Sequence, residues 1–192
     1  MKKFELTNEF ITNMFGTKLF RIRALVEFGD VEAGELGGYV EKESNLGHDD
    51  NAWVYDNAWV YGDAQVSGDA QVSGDALVYG NARVYGNAWV YGNAWVYGNA
   101  WVYGNALVCS DEDYAYAHGF GSVNRTTTFF RLKDGGVGVR CGCFYGTLAQ
   151  FRDKIRETHG ESAIAEEYLD LAALMEKRFR RTGNEQKTEE ES

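Results

Sequence analysis

The sequence has no proline, only three cysteines and three histidines, and no apolar run of about 18 residues that could cross a membrane. The absence of proline is compatible with a chain made mostly of paired strands and helices. Cys109, Cys141 and Cys143 are an odd number and do not form the disulfide framework of a small secreted domain. Residues 1–5 (MKKFE) do not begin a secretory signal sequence. We therefore expect a cytoplasmic protein that does not contact a membrane.

Basic residues are also scarce, since 19 Lys and Arg face 29 Asp and Glu and give a net charge of −10. General nucleic-acid binders gain affinity by neutralising phosphates, so this charge disfavours direct binding to DNA. Between Asp49 and Asp113 the only basic residue is Arg83. Two interpretations stay open: aspartate alternates with asparagine because both suit tight turns, or an acidic rod imitates nucleic acid towards a basic protein groove.

What the sequence does have is one six-residue phrase, repeated ten times without a gap from Asn51 to Ser110. In residues 87–92 (NAWVYG), Ala88 and Val90 alternate with Trp89 and Tyr91, which is the period of a strand. The Gly and Asn that follow tolerate the positive φ of a sharp corner. Each phrase predicts a four-residue strand and a two-residue corner, and the series predicts a solenoid with a narrow Ala and Val interior.

The phrase resembles the hexapeptide repeat of the family that folds as a left-handed parallel β-helix. Valine fills the aliphatic position from Val54 to Val108, and alanine fills the small position from Ala58 to Ala106. The resemblance implies a mainly β fold with a left-handed triangular coil of three phrases, or about 18 residues, although general crossover rules favour the right hand.

The solenoid is predicted to extend beyond the perfect repeats and to cover residues 34–122. Val40 and Leu46 keep the six-residue spacing and predict an earlier coil, with Ser44 in the small position and a two-residue insertion near residues 48–50. Tyr114 and Phe120 keep the same spacing at the other end.

The flanking segments are predicted to cover the ends of the solenoid, because an open end exposes unpaired strand edges. Residues 1–33 predict an N-terminal β cap, and residues 123–146 predict a β-hairpin whose strands, 126–133 and 137–144, are joined by Asp134–Gly136. Residues 147–181 predict a two-helix C-terminal unit that begins with the capping box of Thr147 and Gln150. Residues 182–192 are polar and charged and predict a disordered tail.

Positions 18 residues apart stack, so the outward side chains form three faces. The first face carries Trp53, Gln71, Trp89 and Leu107 beside Tyr55, Ser73, Tyr91 and Cys109. The second face carries Trp59, Leu77 and Trp95 beside Tyr61, Tyr79 and Tyr97. The third face carries Gln65, Arg83 and Trp101 beside Ser67, Tyr85 and Tyr103.

The second face has no charged residue, and its aromatic area exceeds what a monomer normally exposes. We predict that it is buried between copies of the chain in a dimer or trimer; the alternative is that its rings cover the backbone of their own coil. Partner or ligand contacts are predicted at Trp53, Trp89, Trp101, Tyr85, Tyr103, Arg83, Arg125 and Arg131.

Residues suited to catalysis are few. Many hexapeptide-repeat proteins are acyltransferases with a histidine base, or zinc enzymes with several histidines. Here only His48, His118 and His159 occur, and none has metal-ligand spacing, so we predict no enzyme activity and no catalytic residue, although His118 could act as a base. Cys141 and Cys143 lie on the same side of a predicted strand with His159 downstream, but a fourth ligand is missing, and we predict neither metal nor cofactor.

A second resemblance covers nearly the whole chain. Residues 20–25 (FRIRAL), 34–41 (GELGGYVE) and 141–146 (CGCFYG), together with the NAWVYG run, resemble phage and prophage hexapeptide-repeat proteins. The resemblance implies a non-enzymatic counter-defence protein, in the cytoplasm of a bacterial host cell, that inhibits a host immune effector such as a CRISPR-type effector by direct protein binding.

Three alternatives stay open. The chain could be an oligomeric sponge for a signalling nucleotide, in which aromatic rings stack on the base and Arg83, Arg125, Arg131 or Arg140 meets phosphate. It could be a structural, self-assembling rod, or a hexapeptide acyltransferase. The acidic charge balance favours a protein partner.

Overall fold

The computed structural model describes residues 2–121 and 123–190, which divide into two compact units at the junction of Asp111 and Glu112. The first unit is a parallel β-solenoid of about four turns with an antiparallel extension, and the second is an antiparallel sheet with two helices. No helix in the described part of the chain is long and apolar enough to cross a membrane.

The strands of the first unit are short wherever the repeat is perfect. They are β1 (Phe4–Thr12), β2 (Lys18–Ala24), β3 (Leu36–Val40), β4 (Trp53–Val54), β5 (Trp59–Val60), β6 (Gln65–Val66), β7 (Gln71–Val72), β8 (Leu77–Val78), β9 (Arg83–Tyr85), β10 (Trp89–Val90), β11 (Trp95–Val96), β12 (Trp101–Tyr103) and β13 (Leu107–Val108). In the perfect repeats, paired strands of two or three residues replace the predicted four.

The predicted interior and period are confirmed. The repeat valines and alanines are fully buried, and Trp59 pairs in parallel with Leu77, which pairs with Trp95, so each turn takes 18 residues. At the corners, Gly86 has a φ of +75°, and a methyl group in its place would lie 2.9 Å from the amide nitrogen of Gly104. Glycine is therefore required there both for its φ and for the close approach of the next turn.

An earlier turn precedes the perfect repeats, as predicted, since Val40 pairs with Val60 and Leu46 with Val66. The prediction for Ser44 is wrong. Ser44 is exposed in a 3-10 turn at Glu43–Asn45, and Asn45 is buried in its place, where Nδ2 donates to the carbonyl oxygens of Gly62 (3.0 Å) and Ala64 (2.8 Å).

The N-terminal strands continue one face of the solenoid. β1 pairs antiparallel with β2, and β2 with β3, so the largest sheet has the order β1-β2-β3-β5-β8-β11. The other two faces are the sheets β4-β7-β10-β13 and β6-β9-β12.

The second unit contains β14 (Tyr114–Phe120), β15 (Arg125–Arg131), β16 (Val137–Cys141), β17 (Phe144–Thr147), α1 (Leu148–His159) and α2 (Ala163–Glu190). Its strands form an antiparallel sheet in chain order. The helices pack their apolar stripes, including Phe151, Tyr168 and Phe179, onto Phe129 and Val139 of the sheet. The predicted capping box is confirmed, because Thr147 Oγ1 accepts from the amide of Gln150 and Gln150 Oε1 accepts from the amide of Thr147.

Two boundaries differ from the sequence analysis. The solenoid was predicted to reach residue 122, which lies outside the described residues, but its last parallel strand ends at Val108 and Tyr114–Phe120 pairs antiparallel with Arg125–Arg131. The predicted strand 137–144 is broken by a turn at Gly142 and Cys143, which Gly142 permits with a φ of +57°. The predicted disordered tail, 182–192, falls where side chains or whole residues lie outside the described part, and it stays a prediction.

Candidate binding surfaces

The second face is an open groove on the β3-β5-β8-β11 sheet. A space of about 590 Å³ lies over Tyr39, Trp59, Leu77 and Trp95, and Ile11 of β1 contributes to its wall. Trp95 is 47% exposed and Tyr97 40%, whereas Trp59 and Leu77 are half-buried. Of the six residues predicted as an oligomer interface, Trp59, Leu77 and Trp95 line this groove, and the carboxylate of Asp75 lies beside them.

The tyrosines of this face form a stacked column. The ring centroids of Tyr61 and Tyr79 lie 5.1 Å apart, and those of Tyr79 and Tyr97 lie 5.4 Å apart, with nearly parallel planes. Burial raises the pKa of the Tyr61 phenol, and the neighbouring Tyr79 raises it further. Each ring of the column thus packs against the ring of the next turn.

The first face differs from the prediction at its first position. Trp53 is fully buried, with its ring 5.3 Å from that of Phe28 and 6.2 Å from that of Phe4, so it cannot contact a partner. The N-terminal segment covers this part of the face. Further along, Trp89 and Tyr91 stay exposed and, with Leu107, border a space of about 470 Å³ over Gln71 and Ser73.

The third face combines an exposed cation with aromatic rings. The Arg83 guanidinium lies 5.1 Å from the centre of the Trp101 ring, and the rings of Tyr85 and Tyr103 lie 4.3 Å apart. Trp101, Tyr85 and Tyr103 are half-buried and Arg83 is exposed. The structure thus brings together the four residues that the sequence analysis assigned to this face.

The repeats match a known family of solenoid repeats. Residues 52–68, 70–83, 78–92, 82–98 and 88–104 match the YdcK beta solenoid repeat. The chain is a β-solenoid repeat protein. A comparison with curated proteins finds no similar sequence.

Two arginines predicted to bind a partner lie outside the solenoid, in the second unit. Arg131 is held internally, since Nε donates to Asp113 Oδ1 (3.1 Å) and Nη2 donates to the carbonyl of Phe179 (3.1 Å), and Asp113 is buried. The guanidinium of Arg131 thus links β15 to α2, and its contact with a partner stays a prediction. Arg125 is exposed at the start of β15.

Cys141, Cys143 and His159 border one cleft of the second unit, but among the described residues no group of three or more His, Cys, Asp or Glu could hold a metal ion. Cys141 and Cys143 flank a turn rather than sharing one side of a strand, and the Thr127 hydroxyl donates to Cys141 Sγ (3.1 Å). His118 Nδ1 lies 2.9 Å from Thr126 Oγ1, and His48 stacks on Phe4.

Sequence reasoning missed the side chains that close the ends of the β-solenoid. Lys3 is 3% exposed, and its Nζ donates to the carbonyl oxygens of Asp50 (2.6 Å) and Ala52 (2.8 Å). Burial lowers the pKa of Lys3 to about 8, and the charges of nearby aspartates, Asp50 first, oppose the shift. At the other end, the amide of Trp95 donates to Asp111 Oδ1 (2.7 Å). These residues replace the backbone partners that a further turn would supply.

The exposed tip of the β1–β2 hairpin was also missed. Met14 is 89% exposed and Phe15 77%, although Asn13 Oδ1 fixes the turn by accepting from the amides of Phe15 and Thr17. A lone Met-Phe pair between two predicted strands carries no periodic signal that separates an exposed tip from a core segment.

Proposed function

We propose that this chain is a non-enzymatic binding protein that assembles as a dimer or trimer through its second face and holds a protein partner on its first and third faces. The observation that carries the proposal is the largely apolar groove of about 590 Å³ over Trp59, Leu77 and Trp95, which Asp75 also borders. Monomers rarely expose contiguous apolar patches larger than a few hundred Å². A second copy that offers the same face covers both grooves at once, as a closed symmetric interface requires.

For the role in the cell we propose a phage-encoded counter-defence inhibitor that acts in the bacterial cytoplasm on a host immune effector of CRISPR type. The support is electrostatic. Exposed carboxylates recur along the corners, at Asp56, Asp63, Asp69 and Asp75, and the net charge is −10. An effector that holds nucleic acid offers a basic groove, and rows of acidic and aromatic groups on a solenoid are complementary to it.

The assembly is tested by substituting Trp59→Glu together with Trp95→Glu. Each change places a carboxylate in the groove, so we expect the mass measured by light scattering to fall to that of the monomer while the far-UV circular dichroism is retained. The matched control is Trp89→Glu with Trp101→Glu, which adds the same charge to the other two faces and should keep the oligomer. An unchanged mass in the first variant would refute the second-face interface.

Partner binding is tested with the control variant of the assembly experiment, which should now be the defective one. We expect the wild-type chain to co-purify with a CRISPR-type effector and to inhibit its interference activity in cells. Trp89→Glu with Trp101→Glu should lose both properties while it keeps its mass. Full inhibition by that variant would show that these faces do not hold the partner.

A nucleotide sponge is the second candidate, and the space of about 470 Å³ beside Trp89 and Tyr91 favours it. Aromatic rings stack on a nucleobase, and Gln71 and Ser73 offer hydrogen bonds to its edge. Of the arginines expected to meet phosphate, only Arg83 belongs to the solenoid, which favours the protein partner. Native mass spectrometry of gently purified oligomer distinguishes the two, because a sponge carries a nucleotide-sized adduct.

The remaining alternatives have simple tests. His118→Ala should leave the function intact, and loss of function with a retained fold would revive the acyltransferase. If the oligomer carries no nucleotide and captures no effector, the structural, self-assembling rod is the alternative that remains.

A further inference from the structure

The second unit contains a cleft of about 250 Å³ that the proposed function does not use. It lies between the start of β15, the turn that joins β16 to β17, and one side of α1 and α2. Arg125, Cys143, Phe144, Lys154, His159 and Tyr168 are among the residues that line it. We call this space the Arg125 cleft. Its volume equals the liquid volume of about eight water molecules, which is enough for one small organic ligand.

The charged groups of the Arg125 cleft are cationic. Arg125 and Lys154 both line it, and no carboxylate does so among the described residues. Lys154 forms an exposed ion pair with Glu157 (2.9 Å), whereas the guanidinium of Arg125 makes no hydrogen bond or ion pair within the described part of the chain. Glu167 of α2 is not among the lining residues and accepts from the amide of Gly121 (2.8 Å), although its negative charge acts on Tyr168 of the cleft.

The guanidinium of Arg125 lies against the turn at Gly142. A side chain at Gly142 would overlap the Arg125 guanidinium, so the bare backbone of Gly142 is what lets the arginine lie against the turn. The φ of +57° at Gly142 suits the same residue for a second reason. An arginine whose guanidinium makes no hydrogen bond within the described part of the chain has its donors available to an anion.

The rest of the cleft is apolar and aromatic. Phe144 and Phe151 lie 5.4 Å apart, and Tyr168 packs against Phe151 and His159. Burial raises the pKa of Tyr168 to about 12, with Cys141 adding to the rise and Arg125 opposing it, so the phenol stays a neutral donor beside the guanidinium. These walls suit a ring or a short apolar chain.

We propose that the Arg125 cleft binds a small ligand in which one anionic group, a phosphate or a carboxylate, is attached to an apolar ring or short chain. Arg125 takes the anion in a bidentate manner, Lys154 adds a second positive charge, and Phe144 and Phe151 cover the apolar part. The site is independent of the three solenoid faces and of the proposed assembly.

The test is a titration of the full-length chain, uniformly labelled with ¹⁵N, with phenyl phosphate, benzoate and phenol. We expect saturable shifts of the amides of residues 123–125 and 141–144 with the first two ligands, and at least ten-fold weaker binding of phenol. Tighter binding of phenyl phosphate or of benzoate identifies which anion the cleft prefers. Equal binding of phenol would overturn the proposal, because it would leave the cations without a role.

Substitutions separate a specific site from general charge. Arg125→Gln should weaken the binding of phenyl phosphate at least ten-fold. Arg156→Gln removes the same positive charge from an exposed arginine outside the cleft lining, and it should leave the affinity unchanged. If Arg125→Gln does not fold, Lys154→Gln on the surface of α1 takes its place, with an expected loss of about three-fold. Equal losses in the cleft and control variants would refute the site.

Thiol chemistry gives a readout that needs no substitution. Cys143 is exposed at the cleft, and Cys109 lies on the solenoid. Bound phenyl phosphate should slow alkylation of Cys143 by iodoacetamide at least five-fold and leave the rate at Cys109 unchanged. Equal rates at Cys143 with and without saturating ligand would contradict binding in the cleft.

Discussion

Lys3 holds a charge in a place where water hardly reaches. Its ammonium group donates to two backbone carbonyls and lies 4.6 Å from the centre of the Phe28 ring, yet burial still lowers the pKa to about 8. The desolvation of the charged form is therefore only partly offset by these contacts. The cost belongs to one residue and can be measured as a dependence of stability on pH.

We predict that the free energy of unfolding rises as the pH increases from about 8 towards 10.5. Between the folded pKa of about 8 and the ordinary value of 10.5, the unfolded chain binds the proton and the folded chain does not, so a higher pH favours the folded state. The gain between pH 7.5 and 9.5 should be on the order of 1–2 kcal/mol. Urea unfolding of wild type and Lys3→Met across this range measures it.

Lys3→Met is the control because it removes the titrating group and keeps most of the volume. Its stability should change with pH by less than that of wild type over the same range. Tyr55, Tyr61 and Tyr168 have raised pKa values in the folded chain, so their ionisation lowers the stability as the pH rises and cannot supply a rising slope. Identical pH slopes for the two chains would show that Lys3 is not the source.

A second prediction concerns the corner glycines. Gly86→Ala should destabilise the solenoid by about 1 kcal/mol for its positive φ and by a further 1–3 kcal/mol for crowding against Gly104. Gly16→Ala in the β1–β2 turn is the matched control, since its φ is +82° and nothing lies within 4 Å of the added methyl. Chemical denaturation gives both values. Equal losses would mean that close approach between turns contributes nothing.

The sequence predicts whether a side chain of the repeat points inward or outward. It does not predict which outward side chains are covered by other segments of the chain. Trp53 and Trp89 occupy the same position of the repeat, and the sequence assigned both to the surface. Trp53 is buried because Phe4 and Phe28, which lie far away in the sequence, cover it. No periodic pattern contains that contact.

At the scale of elements, the first turn of the solenoid is completed by side chains. The side-chain amide of Asn45 donates hydrogen bonds to the carbonyl oxygens of Gly62 and Ala64, and the ammonium group of Lys3 donates to the carbonyl oxygen of Ala52. We predict that Asn45→Ala costs about 1–3 kcal/mol, because it leaves buried carbonyl oxygens without donors. The change in denaturation midpoint gives the cost.

Ser44→Ala is the matched control for this prediction. Ser44 precedes Asn45 in the same 3-10 turn but is exposed, so its substitution should alter stability by less than about 0.5 kcal/mol. A loss at Asn45 no larger than that at Ser44 would argue against the capping role.

Local signals found some elements, and distant pairing decided the others. The capping box at Thr147 involves residues three apart, so the sequence could predict the start of α1. Strand β14 could not be separated from the solenoid, because Tyr114 and Phe120 keep the six-residue spacing and only pairing with Arg125–Arg131 makes the sheet antiparallel. Within the Arg125 cleft, the contact of Arg125 with Gly142 likewise depends on distant pairing, that of β15 with β16.

At the scale of the whole molecule, the solenoid should tolerate changes in length only in whole turns. Deletion of residues 87–104 removes 18 residues and joins Gly86 to Asn105, so every inward and outward column stays in register. We predict a folded chain with a lower urea m-value, since less surface is exposed on unfolding, and a stability reduced by roughly the contribution of one turn.

Deletion of residues 87–95 is the control. Nine residues are one and a half phrases, so the residues after the deletion shift by half a phrase and corner residues fall on inward positions. Far-UV circular dichroism and the cooperativity of denaturation should show a disrupted solenoid in this variant and a cooperative transition in the first. Similar behaviour of the two would contradict a strict requirement for the period. The left hand of the coil stays a prediction of the resemblance, since alternation and spacing are the same in either hand.

The identical phrases of residues 87–104 also bear on how the chain finds its native state. A nascent turn that pairs one phrase out of step keeps the same Ala and Val interior and the same corner glycines, so misregistered intermediates lie close in free energy to correct ones. The discrimination comes from features that occur once, such as burial of Trp53 and the contact of Asp111 with Trp95. We therefore expect errors of register during folding of the repeats, and we expect the unique residues at the two ends to select the native register.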